Sequence, residues 1–295
     1  MKTVLITGSR GFTGVYVANH FENAGYKVIR SVTTQPHANE VQCDLTDKTA
    51  VNDLMVQTKP TGIIHLAAMS FVAHGDESAF YQINTVGTTN LLQAVDTAGL
   101  NPEKIIIASS ANVYGNPTVD VVSETMPLNP ISHYAASKLA MEAMVKTWYE
   151  RFPIAVVRPF NYTGVGQDKK FLVPKIVSHY AQNKKTIELG NLDVARDFSD
   201  VRDIATAYFN LFESSVQSDV VNFCSGNTVT LADMIQWMNT LAGYEIEVTV
   251  NPDFVRKNEI KILCGDNRKM QDLLRVVPSI PFVETLRGMY LAGND

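Results

Sequence analysis

Cysteine is scarce in this 295-residue chain. Cys43, Cys224 and Cys264 are odd in number, far apart and without a Cys-x-x-Cys pair. That excludes a disulfide framework and a cysteine zinc site, and it fits a reducing cytoplasm. No metal is expected. The sequence has no block of Lys or Arg and a net charge of only −5, so no nucleic-acid partner is expected. No apolar run reaches the roughly 18 residues of a membrane span, so no membrane is expected either. Met1–Ile6 resembles the start of a secretory leader, but Gly8 and Arg10 break the apolar stretch too early; it is read as a first strand. The remainder, 45% hydrophobic and 19% charged, describes a cytoplasmic globular chain with apolar residues for one large core or two smaller ones.

The first stretch organises the rest. Thr3-Val4-Leu5-Ile6-Thr7 is β-branched and apolar, Gly8, Gly11 and Gly14 follow at intervals of three, and Val15, Val17, Ala18 and Phe21 form an amphipathic run. This is strand, tight turn, helix. Glycines let the backbone approach a pyrophosphate, which then rests on unpaired N–H groups at the positive end of the helix dipole. The spacing is Gly-x-x-Gly-x-x-Gly, not the Gly-x-Gly-x-x-Gly of the general dinucleotide fingerprint. Gly8, Arg10, Gly11, Phe12, Thr13 and Gly14 are the expected cofactor contacts of the turn.

Tyr26–Val32 reads as a second strand, at whose end an Asp or Glu would take the ribose 2′-OH of NAD. No acid stands there. Arg30 takes its place and Arg10 lies in the turn, a pair that favours the 2′-phosphate of NADP(H), with NAD(H) as a second option. Read without a cofactor, both are solvated surface charges. Asp44 either caps a helix beginning near Thr46 or reaches the adenine amino group, and Leu45 beside it is an expected cofactor contact. Thr61–Ala68 is a further strand, and a cofactor can lie against its Leu66-Ala67-Ala68 end. His65 is read as packed and hydrogen-bonded.

Glu77–Gly99 has helical spacing and a glycine stop, with Asn84 inside it as a support for the site. Lys104–Ser110 and Ile154–Arg158 are strands, the second closed by Pro159, an expected cofactor contact, and His133–Trp148 is a helix. This alternation predicts an α/β fold with a doubly wound parallel sheet. Composition loosens near residue 160. The expected division is a cofactor-binding domain over 1–160, with a returning segment near 197–224, and a smaller α/β substrate domain over 161–295.

Three residues carry chemistry. Ser110 falls at the carboxyl end of a strand, where ligands bind in open α/β sheets, and Tyr134 and Lys138 share one helical face. A phenol with a pKa near 10 is a poor acid–base group at neutral pH. A nearby ammonium and a positive nicotinamide ring would favour the phenolate and lower that pKa. Tyr134 then exchanges a proton with a carbonyl or alcohol oxygen while hydride moves, and Ser110 holds the same oxygen.

Together, Gly8-x-x-Gly11-x-x-Gly14, His65-Leu66-Ala67-Ala68, Ser109-Ser110-Ala111-Asn112-Val113-Tyr114-Gly115, Tyr134-Ala135-Ala136-Ser137-Lys138 and Arg158-Pro159-Phe160-Asn161 resemble the extended short-chain dehydrogenases/reductases, in their nucleotide-sugar branch. The resemblance covers nearly the whole chain. It implies a Rossmann domain for the cofactor, a C-terminal domain for a nucleotide-diphosphate sugar, and a homodimer built through the Glu77–Gly99 and His133–Trp148 helices. Leu189–Phe198 resembles a segment of enzymes of GDP-mannose metabolism, in which the arginine matching Arg196 contacts the diphosphate. Phe171–Ile176 and Arg256–Glu259 match nucleotide-holding segments of that group, which implies Val173, Lys175 and Arg256 as nucleotide contacts and Glu259 as a ribose contact.

The group's 4,6-dehydratases place a carboxylate just after the strand-end Ser/Thr, because removing the C5 proton and C6 hydroxyl needs a base and an acid. Ala111 and Asn112 occupy those positions here, as substrate contacts without a proton to shuttle, and Asn161 is a further contact to sugar or cofactor amide. The resemblance therefore implies NADPH-dependent reduction of the C4 ketone of a GDP-4-dehydro-6-deoxy sugar, GDP-4-dehydro-6-deoxy-D-mannose giving GDP-D-rhamnose. The alternatives are a 4-epimerase that keeps a bound NAD, a dehydratase-like enzyme, and a non-catalytic protein that binds nucleotide sugars.

Overall fold

A computed structural model describes residues 2–70, 76–252 and 261–293; Arg256 and Glu259 lie outside the described residues. The first half runs β1 (Thr3–Thr7), α1 (Phe12–Asn23), β2 (Lys27–Val32), β3 (Glu40–Gln42), α2 (Lys48–Thr58), β4 (Gly62–His65), α3 (Ser78–Tyr81), α4 (Gly87–Thr97) and β5 (Lys104–Ala108). β6 (Val121–Val122), α5 (His133–Lys146), β7 (Ile154–Pro159), β8 (Asn161–Thr163), α6 (Leu172–Ala181), β9 (Thr186–Leu189) and β10 (Ala195–Asp200) follow. The chain continues through α7 (Val201–Glu213), β11 (Asp219–Phe223), β12 (Thr228–Thr230), α8 (Leu231–Ala242) and β13 (Glu247–Val250). It closes with β14 (Ile262–Gly265), α9 (Arg268–Leu274) and α10 (Phe282–Ala292).

Seven parallel strands form the main sheet in the order β11-β7-β5-β4-β1-β2-β3. Both faces are covered, so the strands are apolar on both sides. Val4, Ile6, Ile64, Ile106 and Val157 face α1, α7 and α9 through Val17, Phe21, Ile204, Tyr208, Leu211 and Met270. Leu5, Ile63, Ile105, Ile107 and Val156 face α2, α4 and α5 through Leu54, Met55, Leu91, Val95, Met141 and Val145. Each such side chain contributes about 1.5–3 kcal/mol when fully buried, and the two layers fix the sheet.

Strand order reverses between β1 and β4, and a doubly wound sheet opens a crevice at the carboxyl ends of such a pair. Two turns meet there. Gly8 has φ +68°, and a Cβ on it would stand 2.8 Å from the Ala67 nitrogen, so only glycine lets the turn after β1 lie against the Leu66-Ala67-Ala68 segment after β4.

Three elements differ from the sequence expectation. The Glu77–Gly99 helix is interrupted by a π-helical turn over Gln82–Val86, which places Asn84, fully buried, where it can bond across to its neighbours. The crossing element near Asp197–Phe212 divides into strand β10 and helix α7, because the buried Asp200 caps the helix by accepting the Arg202 N–H. After α7 the chain returns to the main sheet as β11, inside the 197–224 segment; the departure is α9, which also joins that core through Met270 and Leu274.

The second half adds further layers, one of which takes in β6 from the first half. β12-β10-β14-β6 form a sheet with β8 beside β10, and β13 pairs with β9. α6, α8 and α10 bury Ile176, Tyr180, Met234, Met238 and Leu286 against them. Cys43, Cys224 and Cys264 are buried and unpaired. Among the described residues no helix is long and apolar enough to cross a membrane, and no cluster of three or more His, Cys, Asp or Glu could hold a metal.

Candidate active site

The glycine turn begins the site. The Gly11 N–H donates to Gly8 O at 2.9 Å, and a Cβ on Gly14 would come within 2.2 Å of the same carbonyl. Gly11 is the N-cap of α1 and supplies no side-chain bond to the first turn, so the N–H groups there, at Phe12 and Thr13, are not satisfied by a cap. That arrangement accepts an anion at the positive end of the helix. The residues fit a dinucleotide pyrophosphate.

The flanking residues depart from expectation in several places. Arg30 does not stand past the end of β2. It lies within the strand opposite Ile6, and its Nη2 donates to Glu22 Oε2 at 3.0 Å and Asn19 Oδ1 at 3.1 Å, both on α1. Arg10 stays at the turn but is engaged by Glu40, an acid of β3 that the sequence reading missed. The cap of α2 is Asp47, whose Oδ1 accepts the Thr49 and Ala50 N–H groups. Asp44 instead bonds Thr46, through both its N–H at 2.9 Å and its hydroxyl at 2.8 Å. Leu45 is buried in the core, as are Pro159 and Ala111.

His65 is 1% exposed and bonded at both ring nitrogens, to Thr7 Oγ1 at 2.7 Å and Thr88 Oγ1 at 2.9 Å. Burial, with the nearby Lys138 charge, pushes it down to about 3. It is a neutral bracket between β1 and α4, in line with the sequence reading.

Ser110, Tyr134 and Lys138 converge at the carboxyl end of β5. Ser110 caps a short 3₁₀ turn, Ala111–Tyr114, its Oγ accepting the Asn112 N–H at 3.2 Å, and it hydrogen-bonds the Tyr134 phenol. Ser132 caps α5 by accepting the Ala135 N–H, which places Tyr134 in the first turn and Lys138 one turn on. Lys138 is 2% exposed and donates to Ala108 O at 2.8 Å. The π-helical turn pins this helix: Asn84 Nδ2 donates to Ser137 Oγ at 3.0 Å and to Met69 O at 3.1 Å, while its Oδ1 accepts the Met69 N–H.

The charge states here are those of the protein without a nicotinamide ring. Burial pushes the Tyr134 phenol up to about 12, against the lowering effect of its Ser110 bond. Burial pushes Lys138 down to about 8, with the Glu142 carboxylate acting in the opposite direction. In the protein alone, therefore, desolvation outweighs the Ser110 bond and Tyr134 is a protonated acid.

Beneath the triad is a buried network. Glu142 and Arg158, with side chains 1% and 3% exposed, form a two-pronged ion pair at 2.6 and 3.0 Å. Ser109 Oγ donates to Glu142 Oε1 at 2.5 Å, Arg158 Nη1 donates to Tyr114 OH at 3.0 Å, and Tyr114 OH donates to Asn222 Oδ1 at 2.7 Å. Glu142 lies one turn beyond Lys138, so the spacing Tyr134, Lys138, Glu142 was the available signal. Tyr162 was also missed; its OH pairs with Thr13 Oγ1 at 2.7 Å and its ring stacks on Phe12.

The expected substrate contacts are more scattered. Asn112 and Asn161 are exposed, and Asn161 Nδ2 donates to Asp197 O at 3.2 Å. Val173 is 2% exposed and packs in the α6 core, so its side chain supports the helix and is not presented to a ligand. Lys175 Nζ donates to Glu188 O at 3.0 Å, and Arg196 Nη1 to Ala195 O at 2.9 Å and Lys261 O at 3.3 Å.

Residues 5–289 match the protein family GDP-mannose 4,6 dehydratase. The chain is 34% identical over 274 residues to GDP-6-deoxy-D-talose 4-dehydrogenase of Aggregatibacter actinomycetemcomitans, covering 92% of this chain and 90% of that one. It is 30% identical over 300 residues to GDP-6-deoxy-D-mannose reductase of Pseudomonas aeruginosa, covering 98% and 96%. Among solved structures it is similar to a candidate epimerase of Burkholderia cenocepacia, with TM-score 0.93 and 42% identity over 99% and 98% of the two chains. It is also similar to RMD of Pseudomonas aeruginosa in complex with NADPH, with TM-score 0.89 and 28% identity over 100% and 99%.

Proposed function

Since the chain belongs to the GDP-mannose 4,6-dehydratase family of short-chain dehydrogenase/reductases, and so to the NAD(P)-dependent oxidoreductases of nucleotide sugars, we propose that it reduces the C4 ketone of a GDP-4-dehydro-6-deoxy sugar. The substrate we assign is GDP-4-dehydro-6-deoxy-D-mannose, the product GDP-D-rhamnose and the preferred cofactor NADPH. One observation carries this reading: Ser110, Tyr134 and Lys138 are assembled, yet Ala111 and Asn112 follow Ser110 where a dehydratase needs carboxylates. A set that can move one proton but not two supports carbonyl reduction.

The glycine turn and the first turn of α1 would hold the pyrophosphate, and Leu66, Ala67 and Ala68 the nicotinamide side. When bound, the dinucleotide supplies the hydride. Ser110 donates to the ketone oxygen and orients it. Tyr134, held protonated by burial, gives its proton to the developing alkoxide. Lys138, with one ammonium proton fixed on Ala108 O, has two further donors for a ribose hydroxyl. Its charge also makes the resulting phenolate less costly. The second half of the chain, with Lys175, Arg196, Arg256 and Glu259, is assigned the GDP moiety, and Asn112 and Asn161 the sugar. We assign the dimer to the faces of α4 and α5, in a cytoplasmic protein.

The test is NADPH consumption on GDP-4-dehydro-6-deoxymannose generated by a separate dehydratase, with product NMR. Oxidation that yields a GDP-deoxyhexose supports the reading, and Tyr134→Phe should abolish turnover while NADPH still binds. Retained turnover in that variant would remove Tyr134 from its role. The likeness to a candidate epimerase favours a second reading, a 4-epimerase; NAD retained through purification, with no NADPH oxidation, would select it.

A further inference from the structure

Arg10 reaches out of the glycine turn to the segment after β2. Its Nη1 donates to Thr34 Oγ1 at 2.7 Å and its Nη2 to Gln35 O at 3.0 Å. Glu40 takes the other edge: Nε donates to Oε1 at 3.0 Å and Nη2 makes a second, shorter contact to Oε2. Four of the five guanidinium protons are thus directed. Glu40 opens edge strand β3, its Oε2 also accepts the His37 N–H at 2.7 Å, and its side chain is 8% exposed against 37% for Arg10. The Arg10 bonds, then the His37 N–H, hold the carboxyl at about 2. It is an anion throughout the neutral range.

This pair bridges the turn after β1 and the end of β2, which is where the adenosine ribose of a dinucleotide lies in a doubly wound sheet. The guanidinium that would take a 2′-phosphate already carries a carboxylate on its paired N–H edge. A phosphate arriving there meets a like charge on the same donors. A plain 2′-hydroxyl meets an acceptor, because the carboxylate uses three of its four acceptor positions.

We infer that Glu40 sets the cofactor choice of this chain, as an internal competitor for Arg10 that accepts an unphosphorylated ribose and opposes a 2′-phosphate. The inference rests on the reading that the turn holds a dinucleotide, and it moderates the NADPH preference proposed above: the protein takes both NADH and NADPH, and Glu40 is what keeps NADH in play. The acid that the end of β2 lacks is delivered from the next strand.

The test is calorimetric binding of 2′,5′-ADP and 5′-ADP to the full chain and to Glu40→Gln, which needs neither sugar nor turnover. The wild type should bind the two ligands within about fivefold of each other, and Glu40→Gln should tighten 2′,5′-ADP about tenfold while 5′-ADP holds or weakens. The double variant Arg10→Gln/Glu40→Gln should lose that gain. An unchanged 2′,5′-ADP affinity in Glu40→Gln, an equal gain for both ligands, or no binding of either by the wild type would overturn the inference. If GDP-sugar reduction fails while these shifts appear, the substrate reading falls and the cofactor reading stands.

Discussion

Removing Glu142 tests whether the buried network holds the triad. Glu142→Ala leaves the Arg158 guanidinium in a site where its side chain is 3% exposed, with Tyr114 OH at 3.0 Å and Glu124 O at 3.4 Å as its remaining hydrogen-bond acceptors among the described residues. It also strips Ser109 Oγ of its acceptor. Breaking a buried pair from one side costs about 3–5 kcal/mol, a large part of the roughly 5–15 kcal/mol that holds a typical domain. Urea unfolding followed by tryptophan fluorescence should show a loss of that size. Glu142→Gln, which keeps an amide oxygen for Ser109 or Arg158, should lose less. Replacing both partners, Glu142→Leu with Arg158→Met, should recover most of the loss, since no charge is then left without a counter-ion. A loss below about 1 kcal/mol in Glu142→Ala, or a double variant no better than the single, would refute the account of the pair as a coupled, desolvated unit. The folded fraction of Glu142→Gln should show reduced kcat with KM little changed, because the network touches Ser109 and the helix of Lys138, not the sugar.

Other expectations follow from the same geometry. Burial puts Lys138 at about 8, so its charge is present below that pH and lost above it, and the rate of reduction should fall as pH rises through about 8. Lys138→Arg, charged throughout, should move that limb upward in a pH–rate profile; a limb that stays in place would assign it to another group. Gly8→Ala puts a Cβ 2.8 Å from the Ala67 nitrogen at φ +68°, and calorimetry should show loss of dinucleotide binding along with a lowered Tm. Asn84→Leu removes the bonds to Met69 and Ser137 and leaves the Met69 N–H and carbonyl without their partner. It should cost about 1–3 kcal/mol, measured by thermal or urea unfolding, and should slow turnover more than it weakens NADPH binding.

How much of this was legible in the sequence depends on the range of the interaction. β1, the glycine turn and α1 are local, and Gly8, Gly11 and Gly14 announce them. The triad was legible because Ser110 ends a strand and Tyr134 and Lys138 lie one helical turn apart. Glu142 was equally available, one turn further on, but a carboxylate on a helix reads as solvated until Arg158, sixteen residues away, is seen to bury it. The end of β2 at Val32 was read correctly, but Arg30 lies two residues before it, and its side chain is engaged by Glu22 and Asn19 of α1, contacts that composition does not announce. Glu40 gave no signal. Its partner Arg10 is thirty residues earlier and reaches it only because β3 joins the sheet beside β2. The π-helical turn was hidden in a run whose apolar spacing is continuous.

The charge states of the triad bear on the direction of the reaction. A lysine together with a positive nicotinamide ring was expected to lower the phenol; in the protein alone burial raises it to about 12. Desolvation disfavours any isolated charge, and the same burial lowers Lys138. The two shifts are one effect seen from an acid and a base. A protonated Tyr134 suits proton donation to an alkoxide and opposes proton removal from an alcohol, which is the direction of the proposed reduction. Oxidation would require the phenolate, which needs a second positive charge beside Lys138; a bound oxidised nicotinamide has one and a reduced nicotinamide does not. On the proposed reduction, the pH limb near 8 should therefore follow Lys138 and not the phenol.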